Sequence, residues 1–244
     1  MSVITRPEPT TTTASPRRWR RWPLVLLAVA SAALLVYMLT PYIPPEMSTS
    51  RVPLHDGLLF GLLVAHIFTA TVATVTGLAQ FWPWLRNNHP RVHRWTGRAY
   101  FFAGVFPSTL LAVPVALTAA FGVSNQAGLL IVDLAWASTA IAGYRAARQR
   151  RFADHRRWMI RNYALTFSSL FSRLVQPVIA LLVIAQAKGP SYRGDGLTIQ
   201  HDIASASIWV GVLMAVVAAE FYVQRRYGVP RHRPKAVDPP QPSR

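Results

Sequence analysis

The chain has 244 residues, of which 52% are hydrophobic and 14% charged, and a charged fraction well below about a quarter indicates a protein of the lipid bilayer. Cysteine is absent, which excludes disulfides, thiol catalysis and Cys-ligated zinc or iron–sulfur centres. The net charge of +17 does not indicate nucleic-acid binding, because the arginines alternate with apolar runs instead of gathering on one soluble face.

The N-terminal segment, residues 1–22, is Thr/Pro-rich and ends in a basic and aromatic cluster from Arg17 to Trp22. Before that cluster it lacks apolar periodicity, so it is expected to be disordered. The first apolar run, Leu24 to Thr40, nearly spans a hydrocarbon core of about 30 Å at about 1.5 Å per residue. A cleaved signal peptide also fits a basic flank before an apolar run. The length of the run, with Ala28-Val29-Ala30 inside it, favours an uncleaved helix.

Five further apolar runs predict five more helices. They cover about Gly57 to Trp82, Arg98 to Phe121, Gln126 to Ala147, Arg157 to Ala187 and Ile203 to Val223. Gly57 and Gly61 have the spacing of a close helix contact. Pro107 and Pro114 interrupt the third helix and Pro177 the fifth, and each frees a carbonyl that must find a neighbouring helix or a water-lined cavity. Kinked helix packing is one explanation of these prolines, and a solute pathway is another.

The distribution of Lys and Arg predicts the orientation of the six helices. The two terminal segments and the second-to-third and fourth-to-fifth connections, together with the adjoining helix ends, hold twenty-two of these residues, whereas the other three connections hold three. The second-to-third connection, residues 83–97, is predicted to be a loop. Basic residues concentrate on the cytoplasmic side of membrane proteins. Both termini are therefore expected to be cytoplasmic, with one transmembrane domain (23–227) in the cell membrane and a disordered tail (228–244).

Two similar stretches indicate that one helical hairpin has been duplicated. Residues 93–100 and 155–163 each begin with His-Arg and end with a Trp-x-x-Arg-x-Tyr pattern. The pattern Gly-Leu-Leu-x-x-(His/Asp) also recurs, and it ends at His66 in the second helix and at Asp133 in the fourth. Helices two to five are therefore predicted to form a four-helix core from two hairpins of the same orientation. The predicted fold class is an all-α polytopic membrane bundle with six transmembrane helices.

Ionisable side chains inside the membrane are candidate functional groups, because a charge at the bilayer centre costs about 2.5–3.5 kcal/mol on insertion scales. Four qualify: His66, Asp133, Arg173 and Glu220, the last expected to reach Arg225 or water. One hypothesis is that Asp133 pairs with Arg173 or His66 and locks the bundle. The other is a polar intramembrane site for a proton, a quinone or a small solute. That site would be formed by His66, Asp133, Arg173 and Gln176.

Haem b is a candidate cofactor, because bundle cores hold haem between His residues on facing helices. His93 and His155 stand at corresponding helix starts, and the duplication would bring them to one depth, as bis-histidine ligation requires. Both also neighbour several arginines, as solvated interfacial residues do. His55 and His201 form a second such pair near the outer helix starts. No P-loop or His-Glu-x-x-His motif occurs, and neither a catalytic residue nor a metal site is assigned.

Several of these residues together resemble a known family. The resemblance is carried by His66 with Gln80, His93-Arg94-x-x-Gly97-Arg98-x-Tyr100, His155-Arg156-Arg157-Trp158-Met159-Ile160-Arg161-x-Tyr163-Ala164-Leu165, and Arg173. It is to the bacterial multi-pass family catalogued as domain of unknown function 2306 (DUF2306), over about Leu54 to Phe221. The resemblance implies a membrane location and no particular activity. The Arg-dominated basic composition is typical of a GC-rich bacterial source.

Three functions remain open on the sequence alone. The first is a redox membrane protein linked to haem or quinone, with His93 and His155 as axial ligands. The second is a proton-coupled or small-solute transporter that uses the proline-broken third and fifth helices around the polar site. The third is a structural or assembly protein. The lipid bilayer is the one partner that all three require, and whether the protein is an enzyme is left open.

Overall fold

The protein is helical throughout the part of the chain that the structure describes. The structure is a computed structural model that describes residues 22–54 and 56–228. It contains α1 (Trp22–Leu39), a 3₁₀-helix (Met47–Thr49), α2 (Gly57–Gln80), α3 (Pro83–Asn88), α4 (Pro90–Ala99), a π-helix (Tyr100–Val105), α5 (Phe106–Leu117), α6 (Gly122–Arg148), α7 (Phe152–Ile184) and α8 (Gly196–Tyr227). These described segments contain no strand, so the all-α prediction is confirmed. The expectations for residues 1–21, for 229–244 and for His55 lie outside the described residues.

Six helical stretches are long and apolar enough to cross a membrane. They are Trp22–Leu39, Gly57–Gln80, Pro90–Leu117, Gly122–Arg148, Phe152–Ile184 and Gly196–Tyr227. The third runs through α4, the π-helix and α5 without a break, and the prediction of six spans is confirmed. We call the end of the bundle at which α2 ends and α7 begins the inner end, and the opposite end the outer end. The inner end is the one that the arginine distribution predicts to be cytoplasmic.

Four of the six spans close into a ring. α2 packs on α4, the π-helix and α5; α5 packs on α6; α6 packs on α7; and α7 returns to α2. This ring is the four-helix core predicted from the two hairpins. α8 packs on α6 and α7, and α1 packs on α2 and α7. Large apolar side chains such as Leu110, Leu134 and Leu181 are exposed on the outside, as expected for helices that face lipid.

Backbone contact at two glycines fixes the distances between helices. A Cβ on Gly104 of the π-helix would lie 2.8 Å from the Cα of Ala73 of α2, and one on Gly211 of α8 would lie 2.9 Å from a Cα of α7. The expectation that Gly57 and Gly61 make the close contact is wrong, because a Cβ at either position meets open space. Small residues permit close packing only on the face that meets a neighbour.

The connection between the second and third spans is helical, which corrects the predicted loop at residues 83–97. Pro83 and Pro90 stand at the starts of α3 and α4. At the first helical position the missing N–H of proline costs no hydrogen bond and its fixed φ suits the helix. The two prolines thus start two short helices where the polar composition had indicated a loop.

The sixth span also begins earlier than Ile203, the predicted start. Asp195 caps α8, and its carboxylate accepts hydrogen bonds from the backbone N–H groups of Leu197 and Thr198. These bonds satisfy donors that the first turn of a helix leaves unpaired. The Thr198 hydroxyl, followed by the backbone donors, holds the pKa of the Asp195 carboxyl below its usual value.

Candidate functional site

A network of neutral polar side chains joins the third, fourth and fifth spans at the centre of the ring. The Tyr100 hydroxyl donates to the Asn162 Oδ1 atom at 2.5 Å and lies 3.0 Å from the Thr166 hydroxyl. The Asn162 amide donates to the Trp136 carbonyl at 2.7 Å and to the Thr139 hydroxyl at 2.8 Å. The Trp136 indole N–H donates to Thr166 at 2.8 Å. Sequence reasoning missed this network because it searched for charged groups.

The duplicated pattern places its two tyrosines against the same glycine. A Cβ on Gly77 of α2 would lie 2.6 Å from the Tyr100 ring and 2.7 Å from the Tyr163 ring. The Tyr163 hydroxyl also donates to the Thr74 carbonyl of α2 at 3.2 Å. Both tyrosines are buried. The spacing shared by the two blocks therefore places both tyrosines in the core against α2.

His66 is paired with the neighbouring span. Its Nδ1 atom lies 3.0 Å from the Ser108 carbonyl oxygen and 3.0 Å from the Ser108 hydroxyl. His66 thus links α2 to α5, which are also in contact with each other, through its Nδ1 atom. This pairing is with a serine and not with Asp133.

Asp133 is buried on α6, with 8% of its surface exposed. Within residues 22–54 and 56–228 its carboxyl has neither a hydrogen bond nor an ion pair; the ion pairs there are Arg151–Asp154, Arg157–Asp154 and Arg161–Glu220. The expected pairing of Asp133 with Arg173 or His66 does not form. Position along a span fixes the depth of a side chain but not the side of the helix on which it lies.

Glu220 binds a different arginine from the one expected. Arg161 donates from Nε and Nη2 to the two carboxylate oxygens of Glu220, at 2.8 and 3.1 Å. This bidentate pair links α7 to α8 near the inner end. Arg225, the expected partner, instead lies over the Phe221 ring.

Arg173 and Gln176 line a pocket of about 260 Å³ at the outer end. The Arg173 Nη1 atom donates to the Gln176 side-chain oxygen at 3.3 Å. The complete lining is Arg51, Val52, Phe121, Arg173, Gln176, Gln200, Ile203 and Ala204. It combines two guanidinium groups and two amides, and no lining residue is acidic. Of the four residues predicted to form a polar intramembrane site, Arg173 and Gln176 line this pocket, whereas His66 and Asp133 have other surroundings.

Arg51, which lies between the 3₁₀-helix and α2, is held in place by Tyr37 near the end of α1. Its Nη2 atom donates to the Tyr37 carbonyl at 2.9 Å, and its guanidinium carbon lies 3.7 Å from the centroid of the Tyr37 ring. A cation over an aromatic face is attracted by the quadrupole of the ring. These neutral partners orient the guanidinium group without cancelling its charge.

Pro177 follows Gln176 inside α7. Because proline has no backbone N–H, the carbonyl of Arg173, four residues earlier, lacks its usual helical donor. α7 nevertheless continues as one helix to Ile184, so a single carbonyl near the pocket lacks its helical hydrogen bond. In the third span a π-helix lies just before Pro107, and π-helical turns are frequent at functional sites.

His93 on α4 and His155 on α7 both lie near the inner end. The His155 Nδ1 atom lies 2.8 Å from the Gly143 carbonyl, so it carries the proton and leaves Nε2 with a lone pair. The Gln80 amide accepts from the Gly97 N–H at 3.2 Å and donates to the His93 carbonyl at 3.2 Å and to the His93 Nδ1 at 3.0 Å. This assignment, made from the hydrogen-bond partners, puts the proton of neutral His93 on Nε2.

These tautomers bear on haem binding. A metal-ligating histidine donates its outer N–H to the protein and presents the other nitrogen to the metal. His155 fits this requirement, but His93, whose Nδ1 accepts from Gln80, does not. The core beside them is filled by Tyr100, Tyr163 and Phe81. The pair does not fit bis-histidine ligation of haem in this arrangement.

Comparison with known proteins gives one match. A family model described as "Predicted membrane protein (DUF2306)" matches residues 63–223. No curated protein and no solved structure matches the chain. The matched region includes both His-Arg blocks, Asp133 and Arg173, and it begins after Arg51.

Proposed function

Because the chain belongs to the DUF2306 family of predicted membrane proteins, we propose a function exercised from within the membrane: binding and carriage of a small anionic solute. The binding site is the outer pocket. The observation that carries this proposal is that Arg51 and Arg173 line the same pocket with two amides and no acidic residue.

The composition of the pocket favours a carboxylate or a phosphate. A guanidinium group donates two parallel hydrogen bonds to either group, and the Gln176 and Gln200 amides can donate further bonds. An arginine within a membrane span is costly unless it has a partner, and an anion would supply one for Arg173. A volume of about 260 Å³ is just below the range of about 300–1,000 Å³ usual for ligand sites. The solute is therefore small.

The prolines inside the membrane helices favour a carrier over a fixed receptor. Transporters commonly bind solutes where proline or glycine interrupts a membrane helix, since the freed backbone groups line the site. Pro177 lies inside α7 next to Gln176, and Pro114 lies inside α5. Each leaves one backbone carbonyl without its helical hydrogen bond. Asp133, buried on α6, is the proposed proton-carrying group for a coupled step.

Anion binding tests the proposal directly. We expect at least one of phosphate, sulfate, acetate and succinate to raise the melting temperature of the purified protein. Arg51→Gln and Arg173→Gln should each weaken its binding roughly ten- to a hundredfold, because a hydrogen bond to a charged group contributes about 1.5–3 kcal/mol. Arg193→Gln is the matched control: it removes an exposed positive charge of the same outer region without touching the pocket.

Two results would count against this proposal. If none of the four anions shifts the melting temperature, or if Arg193→Gln weakens binding as much as Arg173→Gln, the pocket is not a specific anion site. Counterflow of the bound anion in proteoliposomes then tests carriage separately. Binding without counterflow would contradict the carrier and leave a receptor.

The redox alternative makes a different prediction. Because the Gln80 amide donates to the Nδ1 atom of His93, we expect protein purified after expression with ample haem precursor to lack a Soret band. The measurement is the visible spectrum of oxidised and dithionite-reduced samples. A reducible Soret band that disappears in both His93→Ala and His155→Ala would establish haem and contradict the tautomers assigned above.

The orientation completes the proposal. With both termini in the cytoplasm of a bacterial cell, the basic connections contact the inner leaflet and the pocket faces outward. The alternation of six spans and the charge asymmetry support this arrangement. Reporter fusions near Arg91 and Arg150 should both report the cytoplasmic side. Fusions that report opposite sides of the membrane would overturn the proposed orientation.

A further inference from the structure

A second pocket lies at the inner end of the bundle, and its lining is entirely apolar. It has a volume of about 340 Å³ and is lined by Val75, Leu78, Ala79, Trp82, Trp84 and Leu85. We call it the inner groove. Pro83 starts α3 three residues after α2 ends at Gln80, and the groove is lined by residues of both helices and of the short connection between them.

The groove is positioned at the level of the lipid headgroups. Tryptophan is enriched at membrane–water interfaces, where its amphipathic ring fits, and Trp82 and Trp84 both line the groove. The edge of the Trp84 ring packs on His89, with ring centroids 4.5 Å apart. Trp84 and Val75 are each more than half exposed. An exposed apolar surface of this kind can bind the hydrocarbon chain of a lipid.

The chain beside the groove is strongly basic. Residues 83–98 contain Arg86, Arg91, Arg94 and Arg98 and no acidic residue. All four arginines are exposed, and none takes part in an ion pair with another described residue. α4, which carries three of them, has no buried residue. Its polar side therefore lies free at the surface of the inner leaflet.

We propose that the inner groove and these arginines together bind one anionic glycerophospholipid. The groove takes part of an acyl chain, and Arg86 and Arg91 bind the phosphate and the anionic headgroup. A zwitterionic lipid would fill the groove equally well but would gain less from the arginines. This combination of hydrocarbon and negative charge distinguishes the ligand from a soluble anion. The inference is independent of the outer pocket.

Native mass spectrometry tests the site on the full chain. Protein released from mixed nanodiscs should retain one phosphatidylglycerol in preference to phosphatidylcholine of the same acyl chains, by roughly tenfold. Arg86→Gln with Arg91→Gln should abolish this preference. The matched control is Arg148→Gln with Arg150→Gln, which removes the same charge from the other basic connection, away from the groove.

A second variant tests the groove itself. Ala79→Phe fills it with a ring and should lower retention of both lipids, while thermal unfolding checks that the bundle is intact. Equal retention of the two lipids by the wild type would overturn the proposal. So would an equal loss of preference in the control double variant, unchanged retention in Ala79→Phe, or a spectrum dominated by a second copy of the chain in place of lipid.

Discussion

Replacing Gly104 with valine is expected to separate α2 from the π-helix and to destabilise the whole core. The added Cβ would lie 2.8 Å from the Cα and 2.9 Å from the backbone nitrogen of Ala73. Because these atoms belong to the backbone of a packed helix, no side-chain rotation can relieve the overlap. Overpacking of a core usually costs about 1–3 kcal/mol, and we expect the upper part of that range. Thermal unfolding in detergent, followed by tryptophan fluorescence, measures the loss.

Gly61→Val is the matched control for this prediction. It makes the same change within α2, but a Cβ at Gly61 meets no neighbouring atom within 4 Å. Its melting temperature should therefore stay close to that of the wild type, apart from the small difference in helix propensity between the two residues. Equal losses in the two variants would show that helix propensity, and not the contact with Ala73, decides the outcome.

The contrast between these glycines shows what hydropathy could and could not predict. Six spans follow from apolar length, and that length is dictated by the thickness of the bilayer. The side of each helix that meets a neighbour does not follow, since apolar residues cover both the lipid-facing and the packed sides. Gly61 and Gly104 both lie in apolar surroundings in the sequence, and only the tertiary structure distinguishes them. The amphipathic α4 was missed because its polar residues resemble a loop.

The candidate site also shows which contacts the sequence predicts and which it does not. Arg173 and Gln176 line one pocket, as expected for residues three apart on one helix, which are neighbours. Their grouping with His66 and Asp133 assumed that similar depth brings side chains together, and each of these two residues has different surroundings. Arg51 joins the pocket from a connection, where the sequence offers no periodicity by which to locate it. Tyr37 anchors it through a backbone carbonyl, a contact that no residue pattern encodes.

Asn162→Leu tests the buried network. Among single substitutions that introduce no steric overlap with a helix backbone, it is expected to be the most destabilising. Asn162 is fully buried and bonds to Tyr100, to the Trp136 carbonyl and to Thr139. Hydrogen bonds between membrane helices contribute about 0.6 kcal/mol on average and up to about 1.7 kcal/mol. Loss of three such bonds with no water to replace them should cost roughly 2–4 kcal/mol, measured by thermal unfolding.

Two tyrosine variants show whether that loss comes from the hydrogen bonds or from packing. Tyr100→Phe removes one partner of Asn162 and keeps the ring, so it should cause only part of the stability loss of Asn162→Leu. The two losses should not add in the double variant, because both substitutions remove the same hydrogen bond. Tyr144→Phe is the control, since the Tyr144 ring packs on Phe101 and Phe102 and its hydroxyl has no hydrogen bond to another described residue. It should unfold like the wild type. If the losses of Asn162→Leu and Tyr100→Phe were fully additive, the hydrogen bond between these two side chains would contribute nothing to stability.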